Sequence, residues 1–204
     1  KTIKIPGDKS CSIRALLLAS QCIGESKIFN LLESTDVLDC LKALRTLGVK
    51  IAKRKNHYSV FGNGLNSFKI KRKLTRLYCG NSLTTGRLLT GLLSTIPSKF
   101  YIYGDASANR RDFMRVIEPL EKVGAQFVPR KKTLPLTIEG TSLPLAQKHV
   151  ETRGSSQVKG LILLSALSTP GITTVEELKS KSSRTHTEIF LKKIGCDIKF
   201  KQTK

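Results

Sequence analysis

The chain has 204 residues, 39% of them hydrophobic, and can bury the core of one large domain or two small ones. No apolar run reaches the roughly 18 residues that a membrane span requires, and no secretory pattern opens the sequence, so we expect a cytoplasmic protein without membrane association. Its 36 Lys and Arg residues against 15 Asp and Glu give a formal charge of +21, which indicates anionic partners or an acidic portion elsewhere.

Three similar segments begin a repeating pattern along the chain. GDKSCSIRALLLAS starts at Gly7, GNSLTTGRLLTGLLS at Gly80 and GSSQVKGLILLSALS at Gly154, at spacings of 73 and 74 residues. Each segment predicts a polar helix start followed by an apolar helix. A short strand-like run precedes each one (IKI, LY and HV), and a second strand follows it (KIFNLLES, KFYIYGDAS and ITTVEEL).

A second helix completes each copy of the pattern. Apolar residues at helical spacing, a terminating glycine and an alternating strand occur in residues 36–54, 113–131 and 185–202. The terminating glycines are Gly48, Gly124 and Gly195. A further strand, YSVFGNG or LPLTIEG, closes the first two copies, so the repeated unit is β-α-β-α-β-β.

This repeat predicts an α/β (α+β) layered domain in which three βαβαββ units have a pseudo-threefold arrangement. We place the units at about residues 1–64, 65–140 and 141–204, with the last one incomplete. Because no linker or low-complexity tract interrupts them, we expect residues 1–204 to form a single domain. The incomplete unit and the missing initial Met indicate a fragment of something longer.

The polar starts of the three apolar helices are the strongest functional signal. A helix N-terminus presents free N–H groups and about half a positive charge, so it attracts anions. If equivalent helices direct their starts to one face, Lys and Arg side chains there add charge-assisted hydrogen bonds. The residues expected to line such an anion pocket are Lys9, Ser10, Arg14, Asn81, Ser82, Arg87, Ser155, Ser156, Gln157 and Lys159.

Simpler roles are open to some of these residues. Ser10, Ser82 and Ser155 are each acceptable as helix caps, and Asp36, at the start of a second helix, is interpreted as a structural cap. Polar residues at the same positions in all three copies favour a binding site over helix caps alone. No pair of acidic residues suited to acid/base catalysis lies near these motifs.

The cysteines and the basic segments carry weaker signals. Five cysteines, at positions 11, 22, 40, 79 and 196, form no CxxC pair, so we expect reduced, buried core side chains without disulfide or metal roles. The basic residues are dispersed, with few aromatic residues between them, so no nucleic-acid partner is expected. A non-catalytic module that binds anions or nucleic acid stays an alternative to a protein that binds small anionic substrates.

Five motifs in this order resemble those of the 5-enolpyruvylshikimate-3-phosphate synthases: PGDKSCSIRALLLAS, CGNSLTTGRLLTGLL, YGDASANRRDFMRVIEPLEKVGA, GSSQVKGLILLSAL and SSRTHTEIFL. The resemblance covers essentially the whole chain. The related UDP-N-acetylglucosamine enolpyruvyl transferases share the fold, but the Lys-Ser pair and SSQVK favour the shikimate branch. The resemblance implies a monomeric two-domain enzyme of three βαβαββ units per domain, of which this chain is nearly all of one domain.

By this resemblance the activity is transfer of the enolpyruvyl group of phosphoenolpyruvate to the 5-hydroxyl of shikimate 3-phosphate, without cofactor or metal. Lys9 is the catalytic candidate of this chain and is expected to contact both substrates, whereas the general base belongs to the other domain. Arg111 matches the arginine that binds phosphoenolpyruvate, which Gln157 also contacts. The residues expected to bind shikimate 3-phosphate are Lys9, Ser10, Arg14, Ser155, Ser156, Gln157, Ser183 and Arg184.

The chain departs from the family pattern near the phosphoenolpyruvate position. Leu83 stands where the motif usually has a glycine that lets this substrate approach the backbone. Ile13, Gly86 and the pair Asp112 and Phe113 also differ from the usual residues. We therefore expect shikimate 3-phosphate recognition to be better preserved than phosphoenolpyruvate binding.

Overall fold

The computed structural model describes residues 7–70 and 72–200, which form six α-helices and nine β-strands. The helices are α1 (Lys9–Ala19), α2 (Thr35–Thr46), α3 (Leu83–Leu93), α4 (Met114–Val123), α5 (Ser156–Ala166) and α6 (His186–Lys193). The strands are β1 (Ile23–Phe29), β2 (Lys50–Lys53), β3 (His57–Asn63), β4 (Leu74–Tyr78), β5 (Lys99–Tyr103), β6 (Gln126–Val128), β7 (Leu136–Glu139), β8 (Lys148–Glu151) and β9 (Thr174–Glu177).

The second sheet has the predicted connectivity in full. Its strand order is β4-β5-β7-β6, with β4 parallel to β5 and with β7 antiparallel to both of its neighbours. The first sheet has the equivalent order β1-β3-β2, and its predicted opening strand, IKI, lies outside the described residues. The predicted class of mixed helix and sheet is confirmed, while the repeat boundaries and the single domain stay predictions.

The third sheet consists of β8 and β9, which pair in parallel from Lys148 opposite Thr174 to Glu151 opposite Glu177. The strand predicted after α6 is wrong for residues 196–200, which have no regular structure. In the other sheets, β2 and β6 each pair only with the last strand of their unit. The described part of the third unit contains no such strand, so nothing satisfies the backbone of residues 196–200 as a strand.

The apolar helices α1, α3 and α5 occupy the centre of the molecule. Their faces are buried almost all round, as expected for helices without a charged stripe. By contrast, α4 buries only one side, through Val116, Ile117 and Leu120 among others. Within the residues described, no helix has both the length and the apolar character needed to cross a membrane.

Helices α3 and α5 pack closely because glycine lies at their contact. A Cβ at Gly91 would lie 2.9 Å from the Cα of Leu161, a backbone atom that cannot rotate away. Gly160 of α5 has a similar role, since a Cβ there would lie 2.9 Å from both Leu88 and Thr187. These contacts set the relative position of the helix starts that form the site.

All five cysteines have free side chains in the structure. Cys40 and Cys79 are buried, and desolvation raises the pKa of each thiol to about 12, so both stay protonated. The other three cysteines are only partly buried, which corrects the expectation that all are core residues.

Gly91→Ala is expected to lower the free energy of unfolding by about 1–3 kcal/mol, because the methyl group forces α3 away from the backbone of α5. Gly86→Ala is the matched control in the same helix. Its Cβ would lie 3.3 Å from the Cys79 side chain, so helix propensity makes this variant neutral or up to about 1 kcal/mol more stable. Urea unfolding of both variants measures the difference, and equal stabilities would contradict the proposed contact.

Candidate functional site

A pocket of about 260 Å³ opens where α1, α3 and α5 begin. Seven of its nine lining residues were expected in the site from the sequence, and the other two, Asp36 and Thr84, were not. The full lining is Lys9, Asp36, Asn81, Ser82, Leu83, Thr84, Arg87, Arg111 and Gln157. Three cations against one carboxylate, together with the helix starts, make the pocket suited to anions.

The three helices are capped in two different ways. Ser82 and Ser155 are N-caps, accepting hydrogen bonds at 3.3 Å from the backbone N–H groups of Thr85 and Val158. Helix α1 is capped instead by Asp8, whose carboxylate accepts from the Cys11 N–H at 2.7 Å. The cap interpretation is therefore wrong for Ser10, whose hydroxyl is available for side-chain contacts.

Arg14 is buried, with 1% of its surface exposed, and its hydrogen bonds connect the starts of three helices. Its Nε donates to Thr187 Oγ1 at 2.8 Å, one terminal nitrogen donates to Ser10 Oγ at 2.6 Å, and the other to the Ser156 carbonyl at 3.4 Å. Desolvation lowers the pKa of Arg14 while Glu188 acts in the opposite direction. The guanidinium nevertheless stays charged, because its ordinary pKa lies far above neutrality.

Gln157 and Arg87 form the wall of the pocket between α3 and α5. Arg87 donates to Gln157 Oε1 at 2.6 Å and to the Asp112 carbonyl at 2.8 Å, and the Gln157 amide donates to Thr84 Oγ1 at 2.9 Å. Among the described residues, the buried Nε of Arg87 has no hydrogen-bond partner. Desolvation lowers the pKa of Arg87, and the positive charge of Arg115 adds to this effect.

Lys9 and Asp36 form an ion pair at the mouth of the pocket, with Nζ and Oδ2 2.8 Å apart. The lysine is about half exposed and the carboxylate is 19% exposed. Asp36 lies in the first turn of α2, where Ser34 is the N-cap residue, so its interpretation as a structural cap is wrong. Because an ammonium group has three donors, Lys9 can keep Asp36 and still contact a ligand.

Arg111 lies at the exposed side of the pocket, after a short 3₁₀ turn over Ala108–Arg110. Its guanidinium donates to Asn81 Oδ1 at 3.2 Å and to Ser107 Oγ at 3.3 Å. Asn81 in turn donates to Asp105 at 2.7 Å. Because these long bonds go to neutral groups, the Arg111 guanidinium can still pair with an anion.

Lys159 does not line the pocket, although its position in the first turn of α5 suggested so. It is 4% exposed, and its Nζ lies 2.8 Å from Glu177 and 2.7 Å from Glu188. Glu177 also accepts from the Ser183 N–H at 2.9 Å. Lys159 therefore fixes the segment that carries Ser183 and the exposed Arg184.

Thr84 and Thr187 contribute to the site without having been predicted. Thr84 holds the Gln157 amide, and Thr187 accepts from the Arg14 guanidinium. The sequence contained an indication for Thr84, because this residue follows the Ser82 cap by two positions and so lies at a helix start. Nothing in the sequence spacing relates Thr187 to Arg14, which lies 173 residues earlier.

The fold and the pocket define a class of protein, one of mixed helix and sheet with a cationic pocket at its helix starts. The model of the family EPSP synthase (3-phosphoshikimate 1-carboxyvinyltransferase) matches residues 1–204. The chain belongs to this family.

Individual relatives agree with this assignment. A 3-phosphoshikimate 1-carboxyvinyltransferase of Nitrobacter winogradskyi is 39% identical over 96% of this chain and 44% of the relative. One of Ruegeria sp. strain TM1040 is 40% identical over 98% of this chain and 44% of the relative. The solved EPSP synthase from Acinetobacter baumannii superposes with a TM-score of 0.90 at 35% identity, covering 98% of this chain and 44% of that one. The chain thus spans under half the length of these relatives.

Lys159→Met is expected to lower the free energy of unfolding at about pH 7 by about 3–5 kcal/mol, because it leaves two carboxylates without their cation. Desolvation raises the pKa of Glu177, but hydrogen bonds from Lys159 and Ser183 outweigh it, so that the folded pKa lies below the ordinary value of 4.5. In the unmodified chain this contribution is present above pH 4.5 and is lost as the pH falls through the folded pKa.

The stability difference between Lys159→Met and the unmodified chain should therefore narrow as the pH falls below 4.5, which urea unfolding at about pH 7 and about pH 3 measures. Lys99→Met is the control. It breaks an exposed pair with Glu139, 3.3 Å apart, whose removal changes the free energy of unfolding by about 0–1 kcal/mol. An equal loss at both pH values in Lys159→Met would contradict the carboxylate explanation.

Proposed function

We propose that this chain provides the substrate-binding half of an EPSP synthase, which transfers the enolpyruvyl group of phosphoenolpyruvate to shikimate 3-phosphate. The observation that carries the proposal is the pocket at the convergent helix starts, with Lys9, Arg87 and Arg111 around it. Both substrates are small polyanions, for which helix N-termini, Arg and Lys are suitable partners. Family membership supports this choice of substrates.

Shikimate 3-phosphate is assigned to the region where α1, α5 and α6 begin. Ser10, Ser155, Ser156 and Gln157 offer hydroxyl and amide groups for its hydroxyls and phosphate. Arg14 acts chiefly through the other residues, because its guanidinium already holds Ser10 and the Ser156 carbonyl.

The cationic partner of the phosphate in this region is Arg184. It is exposed, yet it lies close enough to Arg14 for its charge to lower the pKa of that residue, after the larger effect of desolvation. Ser183 precedes it, and its buried Oγ has no partner among the residues described. A phosphate oxygen would satisfy that hydroxyl.

Phosphoenolpyruvate is assigned to the 260 Å³ pocket itself, between Arg111, Arg87 and Lys9. Arg111 and the unpartnered Nε of Arg87 supply donors for its carboxylate and phosphate. Leu83 lines the same pocket at the first position of α3. Its isobutyl group takes volume next to the free N–H groups of the helix start, where a glycine would leave the backbone accessible.

Lys9 is the residue proposed to act on the reacting groups. Transfer requires protonation of the phosphoenolpyruvate methylene and attack of the 5-hydroxyl, which gives up its proton. Phosphate then leaves together with a proton of the new methyl group, which restores the enol double bond, and negative charge moves onto the departing phosphate. An ammonium held by Asp36 at 2.8 Å is pre-positioned to stabilise that charge without reorganisation. The Lys9 ammonium is also a proton donor within reach of both substrate regions.

Binding of shikimate 3-phosphate to the 204-residue chain tests the proposal by calorimetric titration. Arg184→Ala is expected to weaken binding at least about tenfold, because a charge-assisted hydrogen bond is lost. Lys193→Ala, the same loss of charge at the far end of α6, should leave the affinity unchanged. Shikimate without its phosphate should bind more weakly still. Binding of DNA with a steep salt dependence, uncompeted by shikimate 3-phosphate, would instead support the nucleic-acid alternative.

Leu83→Ala is expected to strengthen phosphoenolpyruvate binding by about tenfold, because it removes three carbons from the pocket wall. Leu92→Ala is the matched control. Leu92 is buried in the same helix but does not line the pocket, so its truncation lowers stability without changing affinity. Titration of each variant with phosphoenolpyruvate measures the effect, and an unchanged affinity in Leu83→Ala would contradict the proposed crowding.

The 204-residue chain alone should not release phosphate from the two substrates. The chain spans under half the length of its relatives. The proposal puts the general base in the part of those relatives that the chain does not match, so proton transfer from the 5-hydroxyl lacks its acceptor. A colorimetric phosphate assay with both substrates checks this. Release above the rate without protein, abolished by Lys9→Met, would show that the chain is catalytically sufficient.

A further inference from the structure

A second cluster of functional groups lies beside the pocket, where α1 meets α6. Asp8 precedes α1, Cys11 is in the first turn of α1, and His186 is the first residue of α6. One carboxylate oxygen, the Cys11 Sγ and a His186 ring nitrogen all lie within 4.8 Å of one another. The Cys11 Sγ is 3.9 Å from His186 Nδ1.

We propose that Asp8, Cys11 and His186 bind a divalent metal ion of the zinc class. Thiolate, imidazole and carboxylate are the ligands that zinc prefers, and three protein ligands leave a fourth tetrahedral position for water. With Zn–S near 2.3 Å and Zn–N near 2.0 Å, tetrahedral sulfur and nitrogen ligands lie about 3.5 Å apart. The observed 3.9 Å needs only a small side-chain adjustment.

The backbone around the cluster is held in place independently of any metal. Arg14 Nε donates to Thr187 Oγ1 at 2.8 Å and so fixes the start of α6 against α1. Asp8 uses one carboxylate oxygen, Oδ1, to cap α1, and its second oxygen is available as a ligand. The two helix starts therefore present their ligands from rigid elements.

The charges of the cluster also suit a dication. The carboxylate and the thiolate supply two negative charges, which offset the repulsion from Arg14 and Arg184 nearby. On binding, the Cys11 thiol releases its proton to solvent and the metal takes the thiolate. The cluster departs from the expectation drawn from cysteine spacing, because its ligands come from positions 8, 11 and 186.

The test is titration of the 204-residue chain with Co²⁺ and Zn²⁺ in a buffer without phosphate. We expect one ion per chain, with a near-ultraviolet thiolate-to-cobalt band and visible bands of tetrahedral cobalt. Cys11→Ser should abolish the thiolate band. Cys22→Ser, a change at a partly buried cysteine beyond the other end of α1, should retain it.

Asp8→Asn distinguishes the role of Asp8 in metal binding from its role as a helix cap, since Asn also accepts a hydrogen bond at an N-cap. This variant should keep its melting temperature without metal but bind Zn²⁺ at least about tenfold more weakly. Saturating Zn²⁺ should raise the melting temperature of the unmodified chain and of Cys22→Ser, but not of Cys11→Ser. No saturable binding, or a thiolate band that survives in Cys11→Ser, would overturn the proposal.

Discussion

The buried guanidinium of Arg14 is the interaction on which the arrangement of the site depends. A charge removed from water is costly unless its hydrogen bonds are satisfied, and Arg14 is satisfied by the starts of α1, α5 and α6 together. Helix α1 is far from the other two in sequence. Their first turns are therefore fixed relative to one another by a polar contact, whereas the rest of each helix packs through apolar side chains.

Next to Arg14 lies a group of ionisable side chains whose charges alternate in sign. Glu188 lies close enough to oppose the desolvation of Arg14, and it shares Lys159 with Glu177. Such a network is stable only while every member keeps its partner. The polar residues at the start of α5 thus have two separate roles. Lys159 stabilises the surrounding structure, whereas Ser156 and Gln157 face the neighbouring helix starts.

Much of the fold could be predicted from the sequence because periodicity and glycines report local structure. The helices that begin at Lys9, Leu83 and Ser156 follow directly from their apolar patterns and polar starts. The strand expected after Gly195 does not form within residues 196–200, because a strand depends on a partner and not on alternation alone. Local pattern therefore predicted the helices better than the last strand.

The site was predictable only in part, for a related reason. Repetition of one phase in three copies identified the helix starts, and Lys9, Leu83, Arg111 and Gln157 do line one pocket. The partners of those residues depend on which helices become neighbours in space. For this reason the ion pair of Lys9 with Asp36 and the inward position of Arg14 became visible only in three dimensions.

The ion pair of Lys9 and Asp36 gives the pocket a tethered counterion of its own. A dissolved anion has to share the charge of Lys9 with a carboxylate that cannot diffuse away and that stays in place at any ionic strength. A singly charged ion such as chloride therefore gains little binding free energy from Lys9. A ligand that carries several charges can contact Lys9, Arg87 and Arg111 at once. The number of charges on an anion therefore decides its affinity for the pocket before its shape does.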